Sequence, residues 1–247
     1  MAVLTGRIRT LLRLTSIQAT WSYDRMQGVG LGYGAEPLLR GLFGGDGPRY
    51  REALGRATGF FNANPYLAPA AVGAEARAEA DGIPGPQIER LRTALCGPLG
   101  SLGDRLFWTG LVPALASAAV AGVALGSGVW AVLVFVLVHN LVRGVLSIWL
   151  LELGWRHGVG IGGAISMSLL PRACTVLGRS AAFLGAAVLP IAGTWLLRGV
   201  GRRELVGVVA LMIGLLVLRR LVGSRGSALM LTLAAAGCVI LWHWGTA

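Results

Sequence analysis

Amide and carboxylate side chains gathered in three short stretches can hydrogen-bond a hydroxylated solute, whose hydroxyls each donate and accept and must not be left unpaired. Asn62 and Asn64 lie in F-F-N-A-N-P at 60–65. Pro65 lacks an N–H and disfavours helix at the residue before it. The segment therefore reads either as a helix break that exposes side chains and carbonyls, or as an ordinary Asn-Pro helix terminus. Asp104 ends C-G-P-L-G-S-L-G-D at 96–104, just before a long apolar run. It can face a solute or cap a helix beginning at Arg105. Trp21 and Gln27 belong to W-S-Y-D-R-M-Q at 21–27. Its aromatic rings can stack on a solute while the amide binds it, or can anchor the chain at a membrane surface.

Other chemistries find no support. His139, His157 and His243 lack ligand spacing and a nucleophile partner, so each reads as structural. Cys96, Cys174 and Cys238 are far apart and form no C-x-x-C, which signals neither a disulfide framework nor a zinc site. A G-x-G-x-x-A match at Gly30 to Ala35 follows no predicted strand, so a dinucleotide site is set aside. No metal and no cofactor is expected.

The elements that must position these residues are membrane elements. Of 247 residues 55% are hydrophobic and 13% charged, with mean hydropathy +0.68, too apolar for a soluble domain of this size. The net charge of +11 comes entirely from arginine. Those arginines flank apolar runs or spread along helix faces, as membrane topology requires, which argues against nucleic acid as a partner.

Composition changes near residue 105: residues 1–105 carry nine of the acids, and residues 106–247 only Glu152 and Glu204. Residues 1–20 read as an amphipathic interfacial arm, with Leu4, Ile8, Leu11 and Leu12 on one face and Arg7, Arg9 and Arg13 interleaved. Residues 21–105 have helical periodicity broken at GGDGP, NPY and IPGP, which fits re-entrant hairpins or a helical cytoplasmic subdomain. Residues 106–247 form a transmembrane region. Two spans are expected, from Leu106 and from Val129 to Leu151, each near the ~20 residues a bilayer requires.

Further apolar stretches at 160–178, 181–197, 205–218 and 227–244 bring the expectation to about four to six spans. The fold class is all-α, a polytopic membrane protein. With residues 1–105 cytoplasmic, Arg156, Arg172 and Arg179 fall inside, but Arg198, Arg202 and Arg203 fall outside. At least one element between 160 and 204 is therefore misassigned. Within the second span, Asn140 and Arg143 face a partner or a functional path, or Arg143 snorkels toward an end. Gly154, Gly158 and Gly162 recur every four residues, a spacing suited to close helix packing, including packing between subunits.

Taken in order, W-S-Y-D-R-M-Q-G-V-G, F-F-N-A-N-P and C-G-P-L-G-S-L-G-D-R-L-F-W-T-G give the chain its resemblance to a known family. Over about residues 13 to 160 it resembles the IID component of mannose/fructose/sorbose-type phosphotransferase systems. The resemblance implies a membrane subunit that joins a IIC subunit to form a hexose-translocating unit of the bacterial inner membrane. Phosphoryl groups would arrive on separate IIA and IIB proteins, with no phosphorylated residue on this chain. It carries over Gln18, Trp21, Tyr23, Arg25, Met26, Gln27, Gly30, Phe60, Phe61, Asn62, Pro65, Gly73, Glu79, Gly97, Pro98, Gly103, Asp104 and Trp108. Of these, Trp21, Gln27, Asn62, Glu79 and Asp104, together with Asn64, are the candidate sugar contacts.

The departures are polar losses. Where the family pattern has His and Glu, this chain has Ala57, Gly59, Asn64 and Ala80. Two functions follow: sugar transport through a modified site, or a regulatory or assembly role without transport.

Overall fold

A computed structural model describes residues 6–196 together with residues 201, 206, 207, 210, 213 and 214. The chain divides into two units, Met1–Ala192 and Gly193–Ala247, and the first holds every site residue. Among the described residues the regular elements are all helical, and β-pairing is limited to isolated bridges joining Met26 to Ser22 and to Phe61.

The helices start and stop where Gly and Pro dictate. Helix α1 (Arg7–Leu14) leads to α2 (Gly28–Phe43), which ends at Gly44 in the GGDG break. Pro48 opens α3 (Pro48–Ala57), its missing N–H costing nothing in a first turn. Helix α4 (Ala68–Ala80) has Pro69 in its first turn and α5 (Gly85–Leu106) has Pro86. Helix α5 continues through a π-helical turn at Phe107–Leu111 into α6 (Val112–Ala124). The compositional shift near residue 105 thus falls inside a rod of 40 residues rather than at a break. After the turn at Gly126–Gly128 come α7 (Val129–His157), a 3₁₀ turn at Gly158–Gly160, α8 (Ile161–Ser166) and α9 (Leu170–Leu196).

Three segments are long and apolar enough to cross a bilayer: Gly85–Ala124, Val129–Ser166 and Leu170–Trp195. The stretches at 160–178 and 181–197 are not two spans, because α8 ends at Ser166 and one helix runs from Leu170 past both Arg172 and Arg179. The stretches at 205–218 and 227–244 lie outside the described residues, apart from 206, 207, 210, 213 and 214.

The core is built around α4. Ten of its thirteen residues are buried, and a helix enclosed on nearly every side must be narrow, which its Ala, Gly and Val composition satisfies. Where α4 crosses α7 the backbones touch. A Cβ on Gly154 would lie 2.2 Å from the Ala70 carbonyl oxygen, and one on Gly73 equally close to the Leu151 carbonyl. Gly154 is therefore used inside the chain. The glycine repeat is not one ridge, because α7 ends at His157, Gly158 has φ +48°, and Gly162 lies in α8 facing open space.

An enclosed helix that carries a carboxylate needs a buried cation. Arg92 of α5 meets Glu75 of α4 through two guanidinium nitrogens, and both side chains are under a tenth exposed. Burial raises the Glu75 pKa above the ordinary carboxylate value, and the Arg92 hydrogen bonds act against that. Arg92 also donates to the Arg56 carbonyl, and Arg56 clamps Glu79 with two bonds of 2.8 Å. These ties join α3, α4 and α5. At the far side, Glu36 of α2 accepts from Arg13 of α1 at 2.6 Å, from Arg40 at 2.5 Å and from Tyr50 of α3 at 2.8 Å. Burial alone would raise the Glu36 carboxyl, but these three donors prevail and hold it below its ordinary pKa.

Two predictions follow from the packing. Gly154→Ala should destabilise the chain by about 1–3 kcal/mol through overpacking against α4, while Gly162→Ala should be neutral, as read by thermal unfolding in detergent. Glu75→Gln or Arg92→Met alone should cost about 3–5 kcal/mol. The Glu75→Leu/Arg92→Met pair should cost clearly less, because neither charge is then left buried alone.

Candidate functional site

The three sequence stretches singled out for their polar groups meet at one place. The 21–27 stretch folds back on itself through Met26 N–H to the Ser22 carbonyl at 2.8 Å and Ser22 N–H to the Met26 carbonyl at 3.1 Å. Met26 takes φ +51°, the one non-glycine positive φ among the described residues, a conformation that costs of order 1–3 kcal/mol and persists only where its surroundings enforce it. The enforcement is visible. Gln27 N–H donates to the Phe61 carbonyl at 2.8 Å, and Phe61 N–H to the Arg25 carbonyl at 3.3 Å. The buried Gln27 side chain then accepts from Ala63 N–H at 3.3 Å. The 21–27 loop is thereby welded to the 60–65 loop.

The third stretch, on α5, completes the junction. Asn64 is 2% exposed; its amide donates to the Asp104 carboxylate at 2.9 Å, and its oxygen accepts from Tyr66 N–H at 3.0 Å. Gly103 is required beside it, since a Cβ there would lie 2.3 Å from the Asn64 Cβ. Two turns earlier on α5, Asn62 N–H approaches the Cys96 sulfur at 3.5 Å. Asp104 caps no helix: α5 starts at Gly85, so Asp104 lies within a continuous helix and holds the loop through Asn64.

The candidate residues thus divide into two groups. Gln27, Asn64 and Glu79 spend their polar atoms inside the chain, Glu79 on Arg56. Asn62, Asp104 and Trp21 are exposed, with Trp21 edge-on to Tyr23 at 4.9 Å. The polar residues of the second span also reach this junction. Tyr66 packs edge-on against Phe107 at 4.5 Å and His139 at 5.9 Å, and the Arg143 guanidinium lies 4.9 Å from the centre of its ring. Among the described residues, His139 Nδ1 is buried without a hydrogen-bond partner. Asn140 points elsewhere, donating to the Val136 carbonyl of its own helix at 2.8 Å.

Sequence reasoning overlooked Tyr66, and with it the place where His139 and Arg143 converge. The available signal was the four-residue spacing of His139 and Arg143, which sets both on one helix face. It also missed the Glu75–Arg92 pair, since nothing local marks two ions seventeen residues apart as partners. Among the described residues no three His, Cys, Asp or Glu side chains are grouped as a metal site. His243 and Cys238 lie outside the described residues.

Comparison with known proteins turns this geometry into a family assignment. A family model described as the PTS system mannose/fructose/sorbose family IID component matches residues 5–195. The chain belongs to that family. It is 30% identical over 155 residues to the mannose-specific EIID component of Escherichia coli K12, covering 61% of this chain and 54% of that protein. It is 31% identical over 189 residues to the sorbose-specific EIID component of Klebsiella pneumoniae, covering 74% and 67%. The fructose permease IID component of Bacillus subtilis is 30% identical over 155 residues, covering 61% and 56%. The chain therefore spans about half the length of the E. coli relative.

Among solved structures it is similar to a chain from the complex of the mannose transporter ManYZ with microcin E492. There the TM-score is 0.58 at 26% identity, over 75% of this chain and 70% of that one. A second chain, described as a membrane protein, matches with a TM-score of 0.63 at 27% identity, over 77% and 70%. Family and fold agree that this IID component is an all-helical membrane protein.

The junction generates a clear expectation. Asn64→Leu should cost about 1–3 kcal/mol by orphaning Tyr66 N–H and the Asp104 carboxylate. Asn64→Asp, which sets two carboxylates against each other, should be the worse of the two. Hydrogen–deuterium exchange over residues 60–67 reads both.

Proposed function

We propose that this IID component joins a IIC membrane subunit to form the sugar-translocating unit of a bacterial cytoplasmic-membrane phosphotransferase permease. Separate IIA and IIB proteins would supply the phosphoryl group. The observation that carries this reading is the convergence of the 21–27, 60–65 and 96–104 stretches on one junction that leaves Asn62 and Asp104 exposed. In this reading Gln27, Asn64 and Glu79 are positioning residues, while Asn62, Asp104 and Trp21 are the sugar contacts. A hexose hydroxyl can accept from the Asn62 amide or donate to Asp104, and an aromatic face such as Trp21 suits the apolar face of a sugar ring.

A IIC partner accounts for what the chain leaves uncovered. Trp130, Leu133, Leu137, Leu141, Val145 and Ile148 are exposed along α7, and bilayer lipid or a second subunit must cover them. The open space around Gly162 suits close approach of a partner helix.

One observation favours a second reading, an assembly subunit without transport. Three of the six candidate contacts are consumed by internal hydrogen bonds, and Ala57, Gly59 and Ala80 offer no polar replacement. Uptake separates the two. Transport predicts that Asn62→Ala and Asp104→Ala each lower phosphorylation-coupled hexose uptake about tenfold or more, while the IIC subunit copurifies unchanged. Wild-type uptake in either variant removes that residue from the site. A wild-type complex that assembles with IIC but gives no calorimetric signal with any hexose establishes the assembly role instead.

A further inference from the structure

One cavity lies away from the polar junction. About 690 Å³ opens between α1 and α2, and its lining holds Arg7, Arg9, Arg13 and Arg40 against a single carboxylate, Glu36, with Pro37 at its wall. Four guanidinium groups face one carboxylate, so the lining carries a net charge of +3. Glu36 is already engaged by Arg13 and Arg40. Arg7 reaches out of the cavity to Glu152 of α7, which it shares with Arg156. Arg9 has no partner among the described residues, and the Arg40 side chain is 58% exposed. Arg13 also donates to the Tyr33 carbonyl and Arg40 to the Tyr50 hydroxyl, so among the described residues the donors left without an acceptor are Arg9 and the remaining Arg40 nitrogen. Guanidinium forks match phosphate oxygens in charge and geometry.

Its depth relative to the bilayer follows from its neighbours. Arg7 binds Glu152 in the last turns of α7, where the apolar span gives way to charge at Glu152, Arg156 and His157. On α1 itself, Ile8 and Leu12 are 74% and 65% exposed, one turn apart and flanking Arg9. Apolar side chains turned outward beside arginines are the arrangement of a helix that lies in the lipid interface, its apolar face among acyl chains and its cations among headgroups. A phosphate held in this cavity can thus trail its own acyl chains over Ile8 and Leu12.

We propose that the α1–α2 cavity is a binding site for the phosphate of an acidic phospholipid. Arg9 and Arg40 are its principal donors, and Ile8 and Leu12 cover the acyl chains. Zwitterionic lipids are disfavoured because their choline or ethanolamine cation would sit among four arginines. The site is independent of sugar recognition, since no lining residue belongs to the 21–27, 60–65 or 96–104 stretches.

The test uses the membrane complex purified through this chain and placed in phosphatidylcholine nanodiscs doped with labelled phosphatidylglycerol. Phosphatidylglycerol should bind in preference to phosphatidylcholine. Arg9→Gln/Arg40→Gln should weaken that binding roughly thirtyfold, and Arg9→Gln alone several-fold. Arg9→Gln breaks no described contact and so reports even if the double variant folds poorly. Arg49→Gln/Arg51→Gln, outside the cavity, should change nothing. Equal binding of both lipids, or full binding by Arg9→Gln, overturns the proposal. Saturable binding of inorganic phosphate in pure phosphatidylcholine discs, lost in Arg9→Gln, assigns the cavity to a free anion and overturns the lipid assignment.

Discussion

The ion pair between Glu75 and Arg92 is the interaction on which the arrangement of this molecule depends. A carboxylate on a helix enclosed as completely as α4 is tolerated only if a cation is delivered to it with its hydrogen bonds in place. That requirement fixes α5 beside α4, and the same guanidinium, reaching the Arg56 carbonyl, fixes the end of α3 as well. Arg56 then turns its own charge onto Glu79 one helical turn along. Once α3, α4 and α5 are held in this way, the loop between α3 and α4 has one course open to it. That loop is F-F-N-A-N-P.

The same constraint explains the composition of α4. A polar anchor at its centre and a helix–helix crossing at Gly73 and Gly154 leave no room for side chains larger than alanine or valine over most of its length. Little apolar area is gained per residue, so stability at this crossing comes from close backbone approach and dispersion rather than from bulky burial. The larger apolar residues of the same core, Phe61, Leu67, Phe107, Leu150 and Leu151, come from outside α4 and are fully buried, and further large apolar side chains line the exposed face of α7. A narrow α4 carrying one buried ion pair is thus enclosed by larger buried apolar residues, and α7 keeps a broad apolar face turned outward.

At the junction this rigidity has a chemical consequence. Asn64 and Gln27 act as internal splints, each satisfying backbone N–H groups that Pro65 and the turn at Met26 leave without helical partners. The strained φ of Met26 is held by hydrogen bonds on both sides. Exposed polar groups at Asn62 and Asp104 are therefore presented from a frame held by internal hydrogen bonds. His139 and Arg143 reach the same frame from the second span through Tyr66, so the span and the loop are packed together there.

Much of this was legible in the sequence. Apolar runs of bilayer length, Gly and Pro punctuation, and the three polar stretches each depend on residues adjacent in the chain or one helical turn apart, and local chemistry decides such features. The apolar run from Val129 and the breaks at GGDGP, NPY and IPGP belong to this class, whereas the run expected to open a span at Leu106 continues a helix that begins at Gly85. Tertiary structure decided what depends on distance. It paired Glu75 with Arg92 and Glu79 with Arg56, and placed Asp104 against Asn64, forty residues apart. It merged the stretches around Arg172 and Arg179 into one helix, and turned Gly154 inward against α4 while leaving Gly162 open. The physical reason is the same throughout. Periodicity reports which face of a helix is apolar, but the partner of a buried charge or a bare glycine backbone is chosen by three-dimensional packing, and its place in the chain carries no local mark.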